Sequence, residues 1–377
     1  MRIVRITATE VIVRAHPGSI NSPSLDRPLH KLESGGQKAW TKQFDEFPKL
    51  IVELELDNGV IGLGECYRDH DWRIVEGIVQ TLLGQAINEL NRQELPIALC
   101  REYDGFECAV WDAFARSHHL PLVDLLGGAV RREILISAWT GHRTLEEMGE
   151  IAARFATAGY TCWKLKCDLE DDVVGWCIAI ARAAPNLKVI LDPNERWLRL
   201  DEAKIRLREL DKIGNVLCLE DPIPHWMIAE YGDLRRFSAI PIIRHVSLPY
   251  MAHGQRVHDA VFAIQNRAVD GFNFNGGLAK LQQLAQVAAA AELPCWHGSE
   301  VDLGILEAMY VHQCAAATAC TLPSDIFGRL VRSHDLLRTP LAFHPPYVHL
   351  PDGIGLGVEL DPVAVAAHQT QKREFSL

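Results

Sequence analysis

From about Ser137 onward the chain repeats one pattern, a short apolar segment followed by an amphipathic stretch of helical period. The apolar segments are TCWKLK (161–166), LKVILD (187–192), VLCLED (216–221), IPIIRH (240–245), DGFNFN (270–275) and LPCWHG (293–298). Their starts recur roughly every 20 to 30 residues, the spacing of βαβ units whose strands pair in parallel. A first strand over Ile134–Thr140 and a last one closed by LPSDIFG (322–328) bring the count to about eight, the number that closes a (β/α) barrel. An open doubly wound sheet is the competing arrangement. It carries a Gly-rich phosphate turn after an early strand, which this chain lacks; the Gly pair in Asn275-Gly276-Gly277 is too little to make one.

The first third reads differently. Arg2–Arg14 alternates apolar and polar residues, and LIVELELDNGVIGLGE (50–65) is a hairpin turning at Asp57-Asn58-Gly59. Helical periodicity follows over 72–91 and 100–118, and the LLGG at Leu125–Gly128 closes the region. This predicts an α+β capping domain over 1–130, a barrel over 131–335 and a C-terminal segment, 336–377, that returns to the cap. Between the early strands, Ala15–Phe47 is too long and polar for an ordinary connection, so it is either a lid or a plain insertion. It carries Arg27, His30, Lys31 and Lys42, suited to an anionic or polyhydroxylated ligand.

Composition removes several functions. A formal net charge of -11 and a pI near 5.8 oppose nucleic acid and anionic membranes as partners. No run approaches the roughly 18 apolar residues of a membrane span. The ten cysteines form no CxxC pair and read as reduced thiols. The expected setting is the cytoplasm and the expected ligand a small molecule.

Every barrel strand delivers its last residues to one mouth, so the polar strand ends are read together. Lys164 and Lys166 are two apart and share one face of their strand. Two neighbouring ammonium groups lower each other's pKa, moving one toward the range of a general base. Asp192 and Glu220 each end an apolar run that buries the carboxylate, which is costly unless a cation answers it. That cation is either one of the lysines or a divalent metal ion such as Mg²⁺.

Read together, DNGVIGLGE, FECAVWDAFARSHHLPLVDLLGG, KLK, LDPN, LEDP, the NGG before a helix and the late LPDGIGLGVELD resemble the enolase superfamily, in its mandelate racemase and muconate-lactonizing branch. The resemblance spans nearly the whole chain. It implies a modified TIM-type barrel with an α+β cap, a homo-oligomer, and a proton abstraction α to a carboxylate through an enediolate. Lys166 would be the base with Lys164 beside it, while Asp192 and Glu220 hold the metal; a Lys or His base with Mg²⁺ is the pattern known for that superfamily.

Three positions depart from the family pattern. The third metal ligand falls at His245, either a ligand, which suits Mn²⁺ or another transition ion better than Mg²⁺, or a hydrogen-bonding wall. The sixth strand offers Asn273 and Asn275 where relatives carry an acid or lysine. The catalytic histidine of the seventh strand aligns with Gly298, one place beyond His297, so His297 is the expected second acid/base, with Glu300 and Asp302 in reserve. Asn194, Asn273, Asn275 and His30 are the substrate-binding candidates. The expected reaction is dehydration of a hydroxylated, sugar-type acid; racemisation or epimerisation at the same carbon is the alternative, and a non-catalytic carboxylate-binding barrel is a third.

Overall fold

A computed structural model describes residues 1–25, 29, 45–246 and 256–377. The expected hairpin forms from β2 (Glu46–Leu56) and β3 (Ile61–Cys66), and β1 (Ile3–Arg14) lies antiparallel beside β2. The alternation seen in the sequence sorts the two faces of this sheet. Leu50, Val52 and Leu54 pack beneath α1 (Trp72–Leu82) and α2 (Tyr103–Ser117) with Val75, Ile78 and Phe106, whereas Val11, Val13, Ile51 and Leu63 join the barrel's core. The glycines of IGLGE let α2 lie directly on β3. A Cβ at Gly62 would meet the Ala109 carbonyl oxygen at 2.2 Å, and one at Gly64 the Gly105 oxygen at 2.0 Å.

After α3 (Leu122–Leu125), the stretch read as one first strand divides. Its first half, β4 (Glu133–Leu135), joins a small antiparallel sheet, and only β5 (Ala138–Thr140) enters the barrel. The parallel strands that follow are β6 (Cys162–Lys166), β7 (Lys188–Asp192), β8 (Val216–Glu220), β9 (Ile242–Val246), β10 (Gly271–Phe274) and β11 (Cys295–His297). With β5 they form a seven-stranded sheet ordered as in the sequence. The intervening helices are α4 (Met148–Thr157), α5 (Val173–Ala183), α6 (Leu200–Ile213), α7 (Ile228–Phe237), α8 (Arg256–Gln265) and α9 (Leu278–Ala290), with α10 (Gly304–Ala316) after β11. The eighth position is taken by an irregular segment, 320–325. Isolated parallel bridges, Cys295 with Cys320 and Ser324 with Ile136, close the barrel there in place of a ladder.

Beyond α11 (Gly328–Val331), β12 (Phe343–His344) and β13 (Tyr347–His349) pair with β4. The chain then passes through α12 (Pro362–His368) to β14 (Gln369–Ser376), which adds to β1 and so returns to the cap. The architecture is a modified TIM barrel with an α+β cap. Among the described residues no helix is long and apolar enough to cross a membrane. All ten cysteines are free, and all but Cys100 are buried.

Strand parity inside the barrel positions the site. Cys162, Ile190, Cys218, Ile243 and Trp296 form one apolar cluster, separate from the core that the outward-facing strand residues share with the helices. Residues two further along each strand therefore face the same lumen, nearer the mouth. They are Lys164, Asp192, Glu220 and His245.

Candidate active site

The two lysines of β6 stand in unequal surroundings. Lys164 Nζ lies 2.6 Å from Glu220 Oε2, 2.7 Å from Asp325 Oδ2 and 3.4 Å from Asp192 Oδ2, above the Trp296 ring. Burial alone would pull the Lys164 pKa down, but Asp325, Glu220 and Asp192 together hold it well above the ordinary value. Lys164 is thus a fixed ammonium. Among the described residues Lys166 has a single ion-pair partner, Asp192 Oδ2 at 2.5 Å, and its side chain is 11% exposed against 3% for Lys164. The mutual depression expected of two adjacent ammonium groups does not govern Lys164, because three carboxylates crowd around it.

Asp325 is the residue that sequence reasoning missed. It sits on the irregular eighth segment, where its backbone N–H donates to the His297 carbonyl. Burial raises its pKa and Lys164 opposes that rise. Glu220, fully buried, has the opposite balance: burial pushes its pKa up, yet Lys164 and then His245 bring it below the usual carboxylate range.

The opposite wall is built from amides. Asn273 Nδ2 donates to Glu220 Oε1 at 2.8 Å, and Asn275 Oδ1 lies 2.8 Å from His245 Nε2. Asn273 Oδ1 and Asn275 Nδ2 are buried with no hydrogen-bond partner among the described residues. Gly298 faces the same space. A Cβ there would meet Asn275 Oδ1 at 2.0 Å and Asn273 Oδ1 at 2.5 Å, so the two amides occupy the room that a side chain at position 298 would need. Asn194 serves the site through its main chain, in a left-handed conformation (φ 46°) that lets its N–H donate to Asp192 Oδ1 at 3.1 Å. His30, with Arg27, Lys31 and Lys42, lies outside the described residues.

The placement of His297 corrects the sequence expectation. Parity turns Trp296 into the lumen and His297 out of it. The imidazole stacks on Tyr310 of α10 with centroids 3.8 Å apart, and its nitrogens contact Gly298 O at 2.5 Å and Gln313 Oε1 at 3.0 Å. Burial lowers its pKa. The two reserve acids belong to the junction with the cap. Asp302 is hydrogen-bonded by Lys49, by Tyr310 Oη at 2.7 Å and by Ser299 Oγ at 2.9 Å, and Glu300 pairs with Arg101 at 3.4 Å and Arg68 at 3.8 Å.

For a divalent ion, Glu220, Asp221 and His245 each offer one ligand atom, and these atoms lie within 4.8 Å of one another. Asp221 enters this group because its positive φ of 42° turns the chain at the strand end. Its Oδ1 accepts the His245 N–H at 2.9 Å and lies 2.8 Å from His225 Nε2. Asp192, expected among the ligands, lies beside this group, its Oδ2 2.5 Å from Lys166 Nζ and 3.4 Å from Lys164 Nζ. Two carboxylates and an imidazole fit a divalent ion of borderline hardness.

Comparison with known proteins agrees with this fold. The family profile described as "Enolase C-terminal domain-like" matches residues 147–364, and that described as "Mandelate racemase / muconate lactonizing enzyme, N-terminal domain" matches 40–127. Among curated proteins, Muconate cycloisomerase 1 of Rhodococcus opacus is 29% identical over 372 residues, covering 92% of this chain and 96% of that protein. A Probable glucarate dehydratase of Streptomyces coelicolor is 28% identical over 366 residues, covering 83% of each. The solved structure of a dipeptide epimerase from Cytophaga hutchinsonii, complexed with Mg and a dipeptide, superposes with a TM-score of 0.82 at 18% identity over 99% of this chain and 100% of that one. The chain belongs to the mandelate racemase and muconate-lactonizing branch of the enolase superfamily.

Proposed function

We propose that this mouth removes a proton α to a carboxylate with Lys166 as the single base, and that a β-hydroxyl then leaves as water from a polyhydroxylated, sugar-type acid. The observation that carries the reading is the unequal lysine pair facing an amide wall. Lys164 is pinned as a cation by Asp325, Glu220 and Asp192, so its charge favours an anionic substrate. Across the lumen, Asn273, Asn275 and Gly298 hydrogen-bond or make room, and none of them moves a proton.

A single base also accounts for the leaving group. Once Lys166 holds the α-proton it is the acid nearest the same face of the substrate, and it returns that proton to the departing hydroxyl. Glu220, Asp221 and His245 are the residues we assign to a divalent ion, Mg²⁺ by family and Mn²⁺ by the presence of an imidazole. Such an ion supplies positive charge against the second negative charge that deprotonation places on a carboxylate. Racemisation calls for a second base on the opposite face, which the amide wall does not offer.

The test is incubation with a panel of polyhydroxylated acids and added divalent ion. The reading predicts an α-keto acid, formed by loss of water and tautomerisation of the enol. An α-epimer without keto acid would overturn the elimination and restore racemisation.

A further inference from the structure

Outside the mouth, on the helix-facing side of the barrel's closing seam, three buried thiols converge. Cys295 of β11 and Cys320 of the eighth segment are partners in a parallel bridge, and Cys314 of α10 reaches the same place. Ser324 Oγ lies 3.5 Å from Cys314 Sγ and 3.7 Å from Cys320 Sγ, and it accepts the His297 N–H at 3.1 Å, which leaves its own proton for a sulfur. Cys320 is the most exposed of the three, at 6%.

We propose that Cys320 is a reactive thiol, oxidised by small hydroperoxides and resolved by Cys295 into a disulfide across the closing seam. The argument begins with geometry. Adjacent strands lie about 4.8 Å apart, inside the roughly 4.4–6.8 Å between Cα atoms that a disulfide accepts, and Cys295 and Cys320 are partners across the seam. Hydrogen bonds from Cys295, then Cys314 and Ser324, hold the Cys320 thiol well below its ordinary pKa against the effect of burial, whereas Cys295 and Cys314 are raised and stay protonated donors. The thiolate is the nucleophile.

The Cys320 sulfur attacks the outer peroxide oxygen. The O–O bond breaks, the departing alkoxide takes a proton to become an alcohol, and the sulfur becomes a sulfenic acid. The Cys295 sulfur then displaces hydroxide, which leaves as water with the Cys295 proton. Two thiols and one hydroperoxide thus give one disulfide, one alcohol and one water. The site is independent of the chemistry assigned to the mouth, although the stapled segment carries Asp325 five residues downstream.

Cys100 is the internal control, because it is the most exposed cysteine and burial pushes its thiol up to about 12. The intact protein is treated with dilute hydrogen peroxide, quenched in acid and mapped by mass spectrometry without reduction. The expected result is a Cys295–Cys320 disulfide formed before any change at Cys100. In Cys295→Ala, Cys320 should gain two oxygens as sulfinic acid instead. Oxidation of Cys100 ahead of Cys320, or a disulfide from Cys314 in place of Cys295, would overturn the proposal, and both are read on the unaltered protein.

Discussion

Replacing Lys164 with methionine should expose the electrostatic frame of the mouth. The substitution keeps an unbranched stem of similar volume, so little cavity energy is lost and the charge term dominates. It removes the cation lying 2.6 Å from Glu220, 2.7 Å from Asp325 and 3.4 Å from Asp192. At 3% side-chain exposure, solvent offers little screening. Breaking a buried pair from one side costs roughly 3–5 kcal/mol; Lys166 still answers Asp192, so about 3 kcal/mol is expected. The loss depends on pH. Without Lys164, burial lifts the folded-state pKa values of Asp325 and Glu220 above their unfolded values near about 4. Acids shifted in that direction bind protons more tightly when folded, so the penalty is small below the unfolded pKa and grows as pH rises through the folded pKa. Urea unfolding of variant and parent should show a gap below about 1 kcal/mol near pH 4 that widens to its full size by about pH 8. A gap of constant size across that range, or none at the upper end, would refute the reasoning.

Two other changes probe the junctions around the site. Glu65 accepts the Leu303 and Leu306 N–H groups at 2.8 and 3.1 Å at the start of α10, and burial, only partly offset by Lys49, lifts its pKa from 4.5 to about 7. A raised folded pKa makes the parent lose stability between those values as pH rises, by an amount on the order of 3 kcal/mol. Glu65→Gln should therefore gain relative to the parent from about pH 5 to about pH 8, and a flat difference in urea midpoints would contradict this. His297→Asn should cost about 1–3 kcal/mol by losing the Tyr310 stack and the Gln313 contact while leaving proton abstraction intact. Lost abstraction at unchanged stability would return His297 to the lumen.

Much of the site was legible because apolar runs ending in charge survive translation into a barrel. KLK, LDPN and LEDP lie on regular strands with clean parity, and Lys164, Asp192 and Glu220 come together as parity requires. His297 was misread for the same reason in reverse. In LPCWHG both Cys295 and Trp296 are apolar, so alternation does not tell which faces the lumen. Only the packing of Trp296 with Ile190, Cys218 and Ile243 decides it. Asp325 was missed because its segment forms isolated bridges and has no strand alternation to read. The expected mutual lowering of the two lysines' pKa values fails at Lys164 with it, since Asp325 completes the cage that holds that ammonium charged. Asp221 was hidden by its position next to Glu220, where a regular strand would point it outward; its positive φ ends that regularity.

The central claim is that Lys166 alone takes the α-proton. The most direct measurement follows α-hydrogen exchange of carboxylate substrates in deuterated water, with divalent ion present, for the parent and for Lys166→Met. The account predicts exchange or elimination by the parent and neither by the variant, with its fold retained by circular dichroism. Exchange that persists in folded Lys166→Met would place the base elsewhere and contradict the account.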